Sequence, residues 1–155
     1  MQIPVRPEGA DPRFFDVWSR FYDAPLVQRF TYRPVQDAVL RELRKAAPGR
    51  VLDVGCGTGI LTGRIQREWR GGTFGCDYSQ GMLRRAARRR EALPWIRGDA
   101  GRLPFADGSF GAVVSTEAFH WFPDPDAALG EFARVLAPKG RVLPARQGEG
   151  RDVFR

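Results

Sequence analysis

Apolar positions change their period repeatedly along the chain. Phe14, Phe15, Val17, Trp18, Phe21 and Tyr22 recur at helical spacing, and so do Val35, Val39, Leu40 and Leu43, with Pro34 near the start of that second run. Val51, Leu52 and Val54 then form a short continuous run, the pattern of a parallel strand covered on both faces. Ile60, Leu61, Ile65 and Trp69 return to the helical period, and Thr73–Asp77 reads as a second strand. Ser79 is placed to cap a helix over Gln80–Glu91, with Met82, Leu83, Ala86 and Ala87 on its apolar face. Pro94–Arg97 and Phe110–Ser115 read as a third and a fourth strand. Asp124 or Asp126 caps a helix through Leu129, Phe132, Val135 and Leu136. Pro138-Lys139-Gly140 stops it, and Arg141-Val142-Leu143 opens a fifth strand.

Strands alternating with helices predict an α/β fold: an open, mostly parallel sheet with right-handed crossovers and helices on both faces. A ligand of such a sheet is expected outside the carboxyl ends of the strands, where the strand order reverses. With 155 residues the chain suffices for one core. Residues 1–12 are proline-rich and aperiodic and read as a flexible arm, 13–143 as the domain, and 144–155 as an irregular tail. The aromatic helix around Phe14–Tyr22 either packs on the domain or folds over the ligand cleft as a lid.

Charge and cysteines change this picture little. The formal net charge is +7, almost all of it arginine. Arg84, Arg85, Arg88, Arg89 and Arg90 crowd one helix face, which reads as a solvated surface or as a contact for an acidic partner or an anionic membrane. Cys56 and Cys76 have neither the number nor the spacing of a disulfide framework or a zinc site, so no metal is expected. No apolar run resembles a signal peptide or reaches the roughly 20 residues of a membrane span, so the expected location is the cytoplasm.

The candidate chemistry lies in Asp53-Val54-Gly55-Cys56-Gly57-Thr58-Gly59. Three alternate glycines after a buried strand strip side chains from a turn that leads into a helix, which predicts free N–H donors and a positive helix end beneath a ligand. Asp77 ends the next strand 22 positions after Gly55, Asp99 ends the third within Arg97-Gly98-Asp99-Ala100, and the fourth strand follows the turn Ala106-Asp107-Gly108-Ser109. Taken together, these features resemble the class I S-adenosylmethionine-dependent methyltransferases, in particular the small-molecule branch that includes the ubiquinone and menaquinone biosynthesis enzymes. The resemblance covers roughly Phe14 to Leu143.

That resemblance implies a Rossmann-like fold, S-adenosylmethionine as cofactor and a small, apolar or aromatic methyl acceptor. It implies Gly55, Gly57 and Gly59 under the methionine part of the cofactor, Asp53 near its amino-acid end, and Asp77 on the ribose hydroxyls. Tyr78 and Met82 would pack beside the adenine, Asp99 and Ala100 would meet its amino edge, and Ser115 and Thr116 would line the cofactor below the sulfur. Asp77 and Asp99 have a plainer alternative, capping the turns they precede. His120 and Glu117 are the candidates for a general base, needed only if the acceptor must lose a proton. Phe119, Trp121 and Phe122 either wall an apolar acceptor or belong to the core.

The chain also departs from the family pattern. No helix and antiparallel strand pair follows the fifth strand, so five strands are expected and the fifth is left as a sheet edge, for which a homodimer is the expected cover. Lys139 stands where the family usually has a second glycine. The alternative functions are a non-catalytic cofactor-binding remnant and a dinucleotide-dependent oxidoreductase. A nucleic-acid substrate is disfavoured, because Ser115-Thr116-Glu117-Ala118 stands where a motif for a flipped base would.

Overall fold

Helix α1 (Arg33–Ala46) begins with proline in its first turn and ends where Ala47 turns left-handed (φ 44°), its N–H donating to Leu43 O at 3.0 Å. The computed structural model describes residues 32–69, 71–89, 92–116 and 118–145, except the side chains of His120, Pro144 and Ala145. The helix expected at Phe14–Tyr22, Glu117 and the tail from 146 lie outside those residues. After α1 come β1 (Val51–Val54), α2 (Ile60–Glu68), β2 (Thr73–Asp77), α3 (Gln80–Ala86), β3 (Trp95–Arg97) and β4 (Phe110–Thr116). A 3-10 turn (Phe119–Trp121), α4 (Pro125–Val135) and β5 (Leu136–Ala145) complete the described chain.

The strands lie in the order β3-β2-β1-β4-β5, every pair parallel. From β1 the chain steps outward to β2 and β3, then crosses back to β4 on the other side of β1. The strand order therefore reverses between β1 and β4, and a crevice is expected at their carboxyl ends. One face of the sheet buries Val51, Ala112, Val114 and Leu143 against Val39, Leu40 and Leu43 of α1 and Leu61 and Ile65 of α2. The other buries Leu52, Val54, Cys76 and Val113 against Ala128, Phe132 and Val135 of α4. β1, buried along its whole length, is the apolar run read in the sequence.

The elements differ from the sequence reading in four places. Helix α3 stops at Ala86 instead of reaching Glu91, because Arg88 N and Arg89 N bond three residues back, to Arg85 O and Ala86 O, and tighten the chain into turns. Ala128, Phe132 and Val135 set the inner face of α4, so Leu129, one residue off that stripe, is 46% exposed. Leu136 is the first residue of β5, opposite Phe110, and β5 continues to Ala145. The pairing then skips to Ala112 opposite Arg141, and Ala137–Gly140 bulge out with Lys139 left-handed at φ 67°. Lys139 thus holds the backbone form that glycine adopts most easily.

Arg134 and Glu131 of α4 fix the loop between β3 and β4. Arg134 Nη1 donates to Phe105 O (2.7 Å) and Asp107 Oδ1 (2.8 Å), Nη2 to Leu103 O (2.9 Å), and Glu131 Oε2 accepts from Leu103 N at 2.7 Å. The apolar Leu103-Pro104-Phe105 segment is thereby pinned by polar bonds at both ends while Leu103 enters the core.

Candidate active site

The loop from Gly55 to Gly59 joins β1 to α2 at the crevice. Gly55, Gly57 and Gly59 all have positive φ, at 73°, 56° and 77°. Close packing adds a second demand for glycine: a Cβ on Gly59 would lie 2.4 Å from the Trp95 ring, and one on Gly55 2.2 Å from Ala118 Cβ. Trp95 of β3 and Ala118 after β4 therefore hold the loop between them.

The loop amides are not the free donors that the sequence suggested. Gly55 N and Cys56 N both donate to Cys76 O (2.8 and 3.1 Å), and Gly59 N donates to Cys56 O at 3.0 Å. Gly57 N donates to Asp77 Oδ2 at 2.8 Å. The positive φ values curl the loop onto β2 and onto itself, so what it offers a ligand is a side-chain-free surface. From the other side Arg89 Nε donates to Thr58 O at 2.6 Å, with Nη2 3.4 Å from Thr58 Oγ1. Arg89 is thus a strut for the loop, whereas Arg84 and Arg88 are exposed.

Asp77 takes one amide on each oxygen, Gly57 N on Oδ2 and Ser79 N on Oδ1, the latter also at 2.8 Å. The two amides hold Asp77 in place between the loop and α3. Ser79 caps α3 as read, its Oγ accepting from Met82 N at 3.2 Å.

Asp53, the third residue of β1, is 1% exposed. Thr62 Oγ1 of α2 donates to Oδ2 at 2.7 Å, while Oδ1 is buried and has no partner. Burial raises its pKa from 3.8 to about 7, and the nearby charge of Asp77 adds to the rise. The cleft above is lined by Asp53, Gly55 and Cys56 of the loop side, Tyr32 and Gln36 from the start of α1, and Thr116 at the end of β4. Burial also pushes the Cys76 thiol up to about 12 and Cys56 well above its usual value, so both remain protonated and unreactive near neutral pH.

The remaining expected residues divide. Asp53, Gly55 and Thr116 share the cleft; Gly57 joins Asp77. Tyr78 is 55% exposed beyond Asp77, with the Arg97 guanidinium 5.7 Å from its ring centre, and Met82 is buried. Ser115 is 1% exposed with its Oγ unpartnered, on the sheet face away from Thr116. Asp99 is exposed and its Oδ1 accepts from Gly101 N at 2.8 Å, the turn-capping alternative; Ala100 is buried in the core. His120 has its backbone in the 3-10 turn after β4, and Glu117 lies outside the described residues. Phe119 and Phe122 stack edge to face (5.7 Å) and pack against the core around Phe132.

Sequence reading passed over Gln36, Thr62, Arg89 and Trp95 as functional residues. Gln36 had a signal: it falls on the helical stripe of Val39, Leu40 and Leu43, and a polar side chain on a core stripe needs a reason to be there. Arg89 and Trp95 had none, because their role depends on tertiary contact with the glycine loop.

Comparison with known proteins decides the family. A family model described as a methyltransferase domain matches residues 52–143, more than half of the chain. The chain belongs to this methyltransferase domain family. The malonyl-[acyl-carrier protein] O-methyltransferase of Halorhodospira halophila is 37% identical to this methyltransferase domain over 145 residues, 88% of the chain and 47% of that protein. The demethylmenaquinone methyltransferase of Beutenbergia cavernae is 42% identical over 101 residues, 64% of the chain and 42% of that protein. The chain thus spans under half the length of both relatives. A crystal structure of an SAM-dependent methyltransferase from Thermotoga maritima is similar with a TM-score of 0.69 at 28% identity, over 86% of this chain and 58% of that one. The family and the fold inferred from the glycine loop and the acids after it are those found.

Proposed function

We propose that this methyltransferase domain binds S-adenosylmethionine over the 55–59 loop and transfers its methyl group to a small, apolar or aromatic acceptor. The observation that carries the reading is the joining of Asp77 to the glycine loop through Gly57 at the carboxyl ends of β1 and β2. Two further features fit the cofactor: the buried, unpartnered Asp53 Oδ1 suits a cationic amino group, and the bare glycine surface admits close approach. When bound, S-adenosylmethionine supplies an already activated methyl group on its sulfonium.

The chain's own residues then bind and orient. Asp77 accepts from the ribose hydroxyls, each a charge-assisted bond worth on the order of 1.5–3 kcal/mol. Asp53 takes the ammonium. Tyr78 and Met82 flank the adenine, with Asp99 and Ala100 at its edge, and Thr116, which lines the cleft, lies under the reacting centre. Placement in line with the acceptor supplies much of the rate. His120 or Glu117 removes a proton where the acceptor carries one. The relatives named above act, by their names, on a malonyl group carried by a protein and on a quinone precursor, which supports acceptors of this size. Among the described residues no helix is long and apolar enough to cross a membrane, and the site of action proposed is the cytoplasm. We infer a homodimer over the β5 edge, which a monomeric mass by light scattering at high concentration would refute.

Transfer of a labelled methyl group from S-adenosylmethionine to demethylated quinones or short acyl carboxylates tests the activity. Label in the extracted acceptor is expected; tight cofactor binding with no transfer to any acceptor would favour the non-catalytic reading.

A further inference from the structure

Arg89 differs from its neighbours in the arginine-rich segment. Arg84 and Arg88 are exposed, whereas the Arg89 guanidinium reaches across to the glycine loop. Its Nε donates to Thr58 O at 2.6 Å, and Nη2 lies 3.4 Å from Thr58 Oγ1. Thr58 is fully buried, so a charged donor serves the carbonyl of a residue inside the fold.

The reach has a local cause. Ala87 N still closes an α-helical turn onto Leu83 O, but Arg88 N and Arg89 N bond three residues back. Residues three apart then stack on one face, which sets Arg89 on the side of Ala86. Ala86 already packs on the loop: its Cβ stands 3.0 Å from where a Cβ on Gly59 would lie. The tightened turns thus aim Arg89 at the same corner.

The loop is fastened in two halves. Gly55 N and Cys56 N are held by Cys76 O and Gly57 N by Asp77, which ties the first half to β2. Thr58 and Gly59 lie beyond that hold, where the chain turns through φ 77° into α2. Arg89 ties this second half to the turns after α3. A bond to the Thr58 carbonyl fixes the plane of the Thr58–Gly59 peptide, and with it the surface that a ligand over the loop meets. A peptide set before binding adds little ordering cost when the ligand arrives.

We propose that Arg89 is a positioning residue for cofactor binding: it acts through the loop, holding the Thr58–Gly59 peptide in the form that receives S-adenosylmethionine. The inference rests on the reading of the 55–59 loop as the seat of the cofactor.

Calorimetric titration with S-adenosylhomocysteine, paired with amide hydrogen exchange of the free chain, tests this. Arg89→Met keeps the apolar stem and removes the donors. It should weaken S-adenosylhomocysteine by about tenfold and speed exchange at Gly59 N, while the β1 amides exchange as in wild type. Arg89→Lys returns one charged donor and should recover most of the affinity. Arg89→Gln, shorter and neutral, should also weaken binding and carries the test if Arg89→Met does not fold. Arg88→Met, at an exposed neighbour, should bind as wild type does. Wild-type affinity in Arg89→Met, or an equal loss in Arg88→Met, would overturn the assignment while the cofactor reading stands. A folded wild-type chain that does not bind S-adenosylhomocysteine would overturn the cofactor reading itself, and this inference with it.

Discussion

Asp77 Oδ2 accepts the Gly57 amide at 2.8 Å, so the acid that ends β2 and the loop that follows β1 move as one unit. The other carboxylate oxygen takes Ser79 N, whose side chain caps α3. Loop, acid and helix cap are thereby set before any ligand arrives, which lowers the ordering cost of binding.

Gly59 has no room for a side chain. Its φ of 77° disfavours any side chain, and the Trp95 ring would stand 2.4 Å from an added Cβ. Gly59→Ala should destabilise the domain by at least about 2 kcal/mol in urea unfolding. Adding Trp95→Leu should recover part of that loss, because it removes the clash but not the backbone strain. A stability equal to wild type for Gly59→Ala alone would contradict this packing.

Asp53 links protons to both stability and binding. Its pKa is raised by burial from 3.8 to about 7, so the folded chain keeps a proton that the unfolded chain has lost. The contribution of this group to stability is greatest below pH 4 and is lost as pH rises through about 7, a difference of a few kcal/mol. Relative to Asp53→Asn, the wild-type urea midpoint should fall between pH 5 and pH 8; parallel profiles would show that the carboxyl ionises freely. An ammonium against Oδ1 favours the carboxylate, so S-adenosylhomocysteine binding near about pH 6 should release a proton. Calorimetry in buffers of different ionisation enthalpy reads that proton, which should vanish in Asp53→Asn.

Lys139 holds a left-handed conformation at φ 67° in the bulge that feeds β5. A non-glycine residue there costs roughly 1–2 kcal/mol. Lys139→Gly should raise unfolding stability by about 1 kcal/mol without altering ligand affinity. A lowered melting temperature would mean that the lysine side chain has a compensating contact.

Most of the sheet was legible because its strands carry local signals. The run Val51–Val54 is buried on both faces, and Asp53 near the end of β1 and Asp77 at the end of β2 stand where an open parallel sheet gathers its ligands. The loop's positive φ values were implied by its three glycines. The bonding of its amides was not, because Cys76 O and Asp77 accept them from a neighbouring strand some 20 residues away. For the same reason the arginine-rich segment hid the role of Arg89: its charge pattern describes an exposed helix, while the strut to Thr58 forms only after α3 tightens into turns. Asp99 illustrates the converse, since its local turn-capping bond to Gly101 was readable as the plainer of two roles.

The most direct test of the central claim is calorimetric titration of the wild-type chain and of Asp77→Ala with S-adenosylhomocysteine, with circular dichroism to establish that both are folded. The wild type should bind, and Asp77→Ala should lose about tenfold or more in affinity through the missing ribose contacts. A folded wild-type chain that does not bind, or a folded Asp77→Ala that binds equally well, would contradict the assignment of the glycine loop and Asp77 as the cofactor site.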